Sequence, residues 1–111
     1  MAKALFLVYS GPADAAREAE YNEWYDDVHV PDMLGVPGIV ACTRYRLAAT
    51  QVRDPAAPAP YLAIYEVELD DLADLPGQLA ARRRDATAGV ASDALVVGPV
   101  AVWEPVTGRV S

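Results

Sequence analysis

The sequence predicts an α+β fold of order β-α-β-β-α-β: one antiparallel sheet carrying two helices on one face. Three observations lead there. Lys3 to Tyr9 is a continuous β-favouring run closed by Ser10-Gly11-Pro12. Two further stretches, "GIVACTRYRL" and "YLAIYEVEL", alternate in the manner of strands, and a fourth run near Val96 to Trp103 ends in tryptophan. Between them lie two segments that read as helices.

The first strand is expected to be buried on both faces, because its apolar run is unbroken. Asp14 then stands where a helix N-cap belongs, with a carboxylate suited to an orphan backbone amide. A helix follows through Val28 or His29. Pro31 ends or kinks it, since its ring disfavours the α conformation at Val30 and supplies no donor. A further turn, "PDMLGV", leads to the turn at 36–38.

In the second strand Ile39, Ala41, Thr43, Tyr45 and Leu47 share one face, with Val40, Cys42, Arg44 and Arg46 on the other. In the third, Tyr61, Ala63, Tyr65, Val67 and Leu69 oppose Leu62, Ile64, Glu66 and Glu68. Pairing these strands is expected to set Arg44 and Arg46 against Glu66 and Glu68. Their connector, "AATQVRDPAAPAP", is long for a hairpin and reads as mobile. The second helix is expected from about Asp70 to Ala88, with a break or late start at Pro76-Gly77 and its stronger half in "QLAARRRDATA". This order is the ferredoxin-like split βαβ arrangement. The sheet face left without helices is still apolar, so a homodimer packed sheet to sheet is expected.

The chain has 111 residues and reads as a single domain over 1–111. Its net charge of −7 offers too little basic surface for nucleic acid and suits an anionic membrane no better. "ALFLVY" reads as a strand, not a signal peptide, and no run approaches the roughly 18 apolar residues of a membrane span. A single cysteine, Cys42, fits a reducing, cytoplasmic location.

The only histidine, His29, lies in "YNEWYDDVHVPDMLGVPGI". On a helix, Tyr25 and His29 lie about 40° apart and Asn22 and Tyr25 about 60°, so the three can line one pocket. An imidazole beside a phenol and an amide can exchange a proton near neutrality and hold a polar atom. The alternatives are a helix-end role for His29 against the negative dipole, or pairing with Asp26. Tyr21 and Trp24 read as core and support, Trp24 also as a substrate contact. Tyr9, Tyr45, Tyr65 and Trp103 are candidate walls of an aromatic cleft for a flat apolar ligand, or simply an aromatic core. Arg82-Arg83-Arg84 reads as a solvated helix end, because consecutive residues point in different directions. No metal ligand set is apparent, and GxGxxG, P-loop and GxSxG motifs are missing. Lys3 is the only lysine, which argues against a buried Schiff-base lysine.

The stretch "YNEWYDDVHVPDMLGVPGIVACTRYRL" resembles the signature region of EthD-like and related proteins of the dimeric α+β barrel superfamily. The matching positions are Asn22, Trp24, Tyr25, His29, Pro31, Leu34, Pro37, Gly38, Arg44 and Tyr45. The resemblance covers residues 3–48; beyond them only the strand–helix order matches. It implies a ferredoxin-like homodimer whose two sheets form a barrel, with a ligand cleft in each subunit between sheet and helices. Relatives of this kind include cofactor-independent monooxygenases, polyketide cyclases, lactone isomerases and accessory proteins, so the resemblance selects no one reaction. The main expectation is a small, cofactor-independent enzyme acting on an aromatic, polyketide-like or lactone metabolite by proton transfer. His29 is then the acid/base, with Tyr25 and Asn22 orienting it or the substrate. The alternative is a binding or accessory protein for an oxidase. Haem-using branches exist, but no haem-degrading Asn/Trp/His constellation matches here, so no cofactor is expected.

Overall fold

A computed structural model describes residues 1–85, 88–89 and 91–111. Four strands, β1 (Ala2–Pro12), β2 (Ile39–Arg46), β3 (Tyr61–Leu69) and β4 (Leu95–Trp103), form one sheet of order β2-β3-β1-β4. Each neighbouring pair is antiparallel. Between β1 and β2 come a 3₁₀ turn (Ala15–Arg17), helix α1 (Glu18–Trp24), a π-helical turn (Tyr25–His29) and helix α2 (Val30–Met33). Between β3 and β4 come a second 3₁₀ turn (Leu72–Asp74) and helix α3 (Leu75–Arg84).

Burial alternates along the inner strands and marks the face under the helices. Ala4 and Ser10 of β1 and Tyr61, Ala63, Tyr65 and Val67 of β3 are buried there. Tyr21, Tyr25, Val36 and Leu75 cover them from the helical side. The reverse face is open. Leu5 is 40% exposed and Trp103, its partner on β4, 60%, so β1 is not buried on both faces as expected.

Pro31 does not stop the helix. A proline ring collides with the carbonyl four residues back in an α-helix. Here the preceding turn is π-helical, Val30 donating to the Tyr25 carbonyl five residues back, and Pro31 enters the first turn of α2. Asp14 occupies the N-cap position in extended backbone, but its side chain makes no cap bond. Asp71, by contrast, accepts from the Ala73 amide at 3.0 Å. Pro76 falls in the first turn of α3, where its missing N–H costs nothing, so the helix starts late. It ends at Arg84, with Asp85 extended; residues 86–87 of the expected extension lie outside the described residues.

The β2 register departs most from expectation. Ile39 pairs with Val67 and Ala41 with Glu66, so Val40 is an extra residue in a bulge. Beyond it Cys42 opposes Tyr65, Arg44 opposes Ala63 and Arg46 opposes Tyr61. Directly paired residues share a face, so Arg44 and Arg46 lie on the helix side, not beside Glu66 and Glu68. The turn entering β2 depends on Gly38. Its φ is +96°, and a Cβ there would sit 2.4 Å from Leu69 Cδ2.

Candidate functional site

Of the three residues expected to line one pocket, the π turn carries Tyr25 and His29, and α1 carries Asn22. Tyr25 is 1% exposed and His29 half-buried. The imidazole stacks on Trp24, with ring centroids 4.8 Å apart and planes 17° from parallel. It meets Tyr25 edge-on at 5.0 Å and 81°. Among the described residues no hydrogen bond reaches either imidazole nitrogen. Burial lowers the pKa of His29 below its ordinary value; Asp32 opposes that shift and the Arg44 charge adds to it.

The geometry disfavours both bland roles for His29. The helix continues through α2, so His29 is not a helix end. Asp26 is also committed elsewhere, its Oδ1 accepting from Arg44 Nη1 at 2.6 Å.

Arg44 is the residue that strand patterning missed. It reaches up from β2 and donates through Nη2 to Asn22 Oδ1 at 2.9 Å. Its guanidinium lies 4.3 Å from the Tyr25 ring centre and 5.5 Å from those of Tyr21 and Tyr61. Asn22 donates in turn to Tyr61 Oη at 3.1 Å, and Tyr61 donates to Glu18 Oε2 at 3.0 Å. Asn22 thus contacts Arg44 and Tyr61 rather than His29. Arg44 stands among the signature positions, but only the register of the Val40 bulge, which local alternation does not reveal, brings it under the helix.

The expected aromatic walls divide between the two faces. Tyr65 is fully buried on the helix side, its ring centre 5.9 Å from that of Phe6. Tyr45, opposite Leu62, is 51% exposed on the other face, and Tyr9 and Trp103 lie on that face too. A cleft lined jointly by Tyr45, Tyr65 and Trp103 is therefore ruled out by strand parity. Below the π turn, the hydroxyls of Tyr25 and Tyr65 have no protein hydrogen-bond partner. They interact electrostatically with each other and with Cys42, though no well-formed hydrogen bond joins the two phenols. Burial raises the pKa of both phenols and of the Cys42 thiol.

Two of the grooves among the described residues bear on the candidate site. One, of about 630 Å³, is lined by Glu20, Trp24, Ala91, Ser92 and Asp93 and so borders the tryptophan of the stack but not His29. The other, of about 720 Å³, runs between α3 and β4 over Phe6, Leu72, Leu79, Val100 and Val102, with Arg83 and Glu104 among its polar residues. Among the described residues no group of three or more His, Cys, Asp or Glu is placed to hold a metal ion.

Arg82 corrects the reading of the arginine run. Its Nε donates to Asp32 Oδ1 at 2.8 Å, its Nη2 contacts the same oxygen, and the Gly89 amide donates there at 2.8 Å. Asp32 thereby ties α2 to α3 and to the segment beyond it.

Comparison with solved structures fits this architecture. HapK from Hahella chejuensis matches over 97% of this chain and 98% of its own, with a TM-score of 0.61 at 14% identity. An ethyl tert-butyl ether D (EthD) family protein from Bacillus halodurans C-125 matches over 95% and 99%, with a TM-score of 0.56 at 19% identity. The fold is that of the EthD-like proteins. The likeness spans β4 as well as the motif region. No family model matches the chain, and no curated protein matches it in sequence. No helix among the described residues is long and apolar enough to cross a membrane.

Proposed function

We propose that this EthD-like chain is a small cofactor-independent enzyme that moves a proton on an aromatic, polyketide-like or lactone metabolite. One observation carries the reading: the only imidazole is half-buried on a π turn, stacked on Trp24, with neither nitrogen bonded to the protein among the described residues. A site that keeps imidazole neutral at physiological pH holds a ready base. π-helical turns frequently mark functional positions. His29 accepts the proton, Tyr25 packs edge-on to steady the ring, and Asn22 sets the helix through Arg44. The Glu20–Trp24–Asp93 groove, which borders Trp24, is the candidate place for the ligand.

The test is carbon–hydrogen exchange. Lactones, quinones and aromatic keto acids are incubated with the protein in deuterium oxide and followed by proton NMR. Deuterium uptake beside a carbonyl, lost in His29→Gln, supports proton transfer. No uptake in any compound sinks it.

A second reading, a non-catalytic carrier or accessory protein, draws support from the groove between α3 and β4. Its walls are mostly apolar and include none of His29, Tyr25 and Trp24. Binding without turnover, indifferent to His29→Gln, is its signature.

The homodimer belongs to this proposal as well. Leu5, Tyr45, Leu47, Val96 and Trp103 are 40–60% exposed on the helix-free face, where a second sheet would bury them. A cytoplasmic location belongs to the same proposal, and the lone Cys42 fits it.

A further inference from the structure

A guanidinium under a helix, among tyrosine rings, is costly to keep there. The Arg44 side chain is 16% exposed, and it leaves water for a site walled by Tyr21, Tyr25, Tyr61 and Ala63. Desolvating a cation is offset only by well-formed partners, and an apolar residue of similar length would fill the space without that cost. Arg44 does have such partners, and their placement is informative. Asn22 and Asp26 are four residues apart, and Tyr25 lies between them under the guanidinium. Arg44 thus grips the helix from the last turn of α1 into the π turn.

Resting on the proton-transfer reading, we propose that Arg44 is a positioning residue for His29. It clasps Asn22 and Asp26 and supports the Tyr25 ring, and so fixes the edge of the ring against which the imidazole packs. Arg44 acts through Tyr25 and through its charge, not by touching substrate. The charged and titratable groups facing His29 are Asp32 from α2, Arg44 from β2 and the Tyr25 phenol beside it. Asp32 favours the imidazolium and Arg44 disfavours it, so Arg44 helps to keep the base neutral. Asp26 partly neutralises Arg44 in turn.

Two variants move His29 in opposite directions. Arg44→Met removes the cation and leaves Asp26 unpaired, so the imidazole pKa should rise. Asp26→Asn keeps the cation and removes its counter-charge, so that pKa should fall; Asp26 is largely exposed, which spares the fold. Nitrogen-edited NMR of the single histidine reads both. Arg44→Lys, which keeps charge but not the two-armed grip, should leave the pKa near wild type while kcat for carbon–hydrogen exchange drops. A displaced base can cost on the order of 10²-fold, with KM little changed. If Arg44→Met does not fold, Asp26→Asn decides the matter. Two folded variants with an unmoved His29 titration and unchanged ring-current shifts would overturn the proposal. The outcomes separate cleanly: a wild-type protein without turnover sinks proton transfer, whereas an immovable His29 beside normal turnover sinks the role of Arg44 alone.

Discussion

His29 lies flat on Trp24, 4.8 Å between ring centres, so the tryptophan reports on the charge of the imidazole. An imidazolium draws electron density from excited indole and quenches its emission. In a Trp103→Phe background, Trp24 fluorescence should fall on acidification along the His29 titration curve. Emission that ignores pH over that range would contradict the stack.

The same residue sets a slope in stability. Burial depresses the His29 pKa below the ordinary value of about 6.5, so the unfolded chain takes up the proton first. Stability is therefore full above about pH 6.5 and declines as pH falls through the folded-state value. Urea titrations of wild type and His29→Gln should diverge in that window, the variant losing less. Parallel curves would mean that the imidazole is as well solvated folded as unfolded.

Asp32→Asn should destabilise the fold by roughly 1.5–3 kcal/mol, the range for hydrogen bonds to a charged group. Burial alone would raise the Asp32 pKa, but the Arg82 hydrogen bond, the Gly89 amide and the Arg82 charge outweigh it and hold the carboxyl below its ordinary range. That contribution is present above about pH 4 and is lost as pH falls through the lowered value. A change under 0.5 kcal/mol in chemical denaturation would reduce the Asp32–Arg82 contact to a surface ion pair.

Tyr65→Phe should raise stability. The Tyr65 hydroxyl is buried beside the Tyr25 phenol and the Cys42 thiol with no well-formed hydrogen bond, and such burial costs about 1–3 kcal/mol. Phenylalanine keeps the packing against Phe6 and removes the penalty. A loss of stability would reveal a hydrogen-bond partner for that hydroxyl.

The homodimer makes a prediction about size. Light scattering should give twice the 11.9 kDa chain mass, and Trp103→Glu, which places a charge on the open sheet face, should shift the protein toward monomer. An unchanged mass in that variant would put the interface elsewhere.

Element order and the turn at Gly38 were legible because periodicity and turn residues act locally. Two one-residue irregularities were not. The bulge at Val40 reverses the side on which Cys42, Arg44 and Tyr45 project relative to Ile39, and alternation has no means of marking the slip. The π turn has the composition of an α-helix and shows only in its hydrogen bonds. The candidate site follows this division. Tyr25 and His29 came from helical spacing, whereas Arg44 needed the register, and Asp32 needed a partner 50 residues away.

The π turn can be regarded as a spliced-in residue that rephases the helix. Each residue of an α-helix turns the chain by about 100°, so one surplus residue rotates everything after it relative to everything before. The first half is indexed to the sheet by Tyr21 and Tyr25, the second to α3 by Asp32. An unbroken α-helix that satisfied the first anchor would swing the second out of line. Deleting a single residue between Tyr25 and His29 would therefore force a choice between docking on the sheet and latching onto α3. The histidine stands at the joint where those two demands are reconciled.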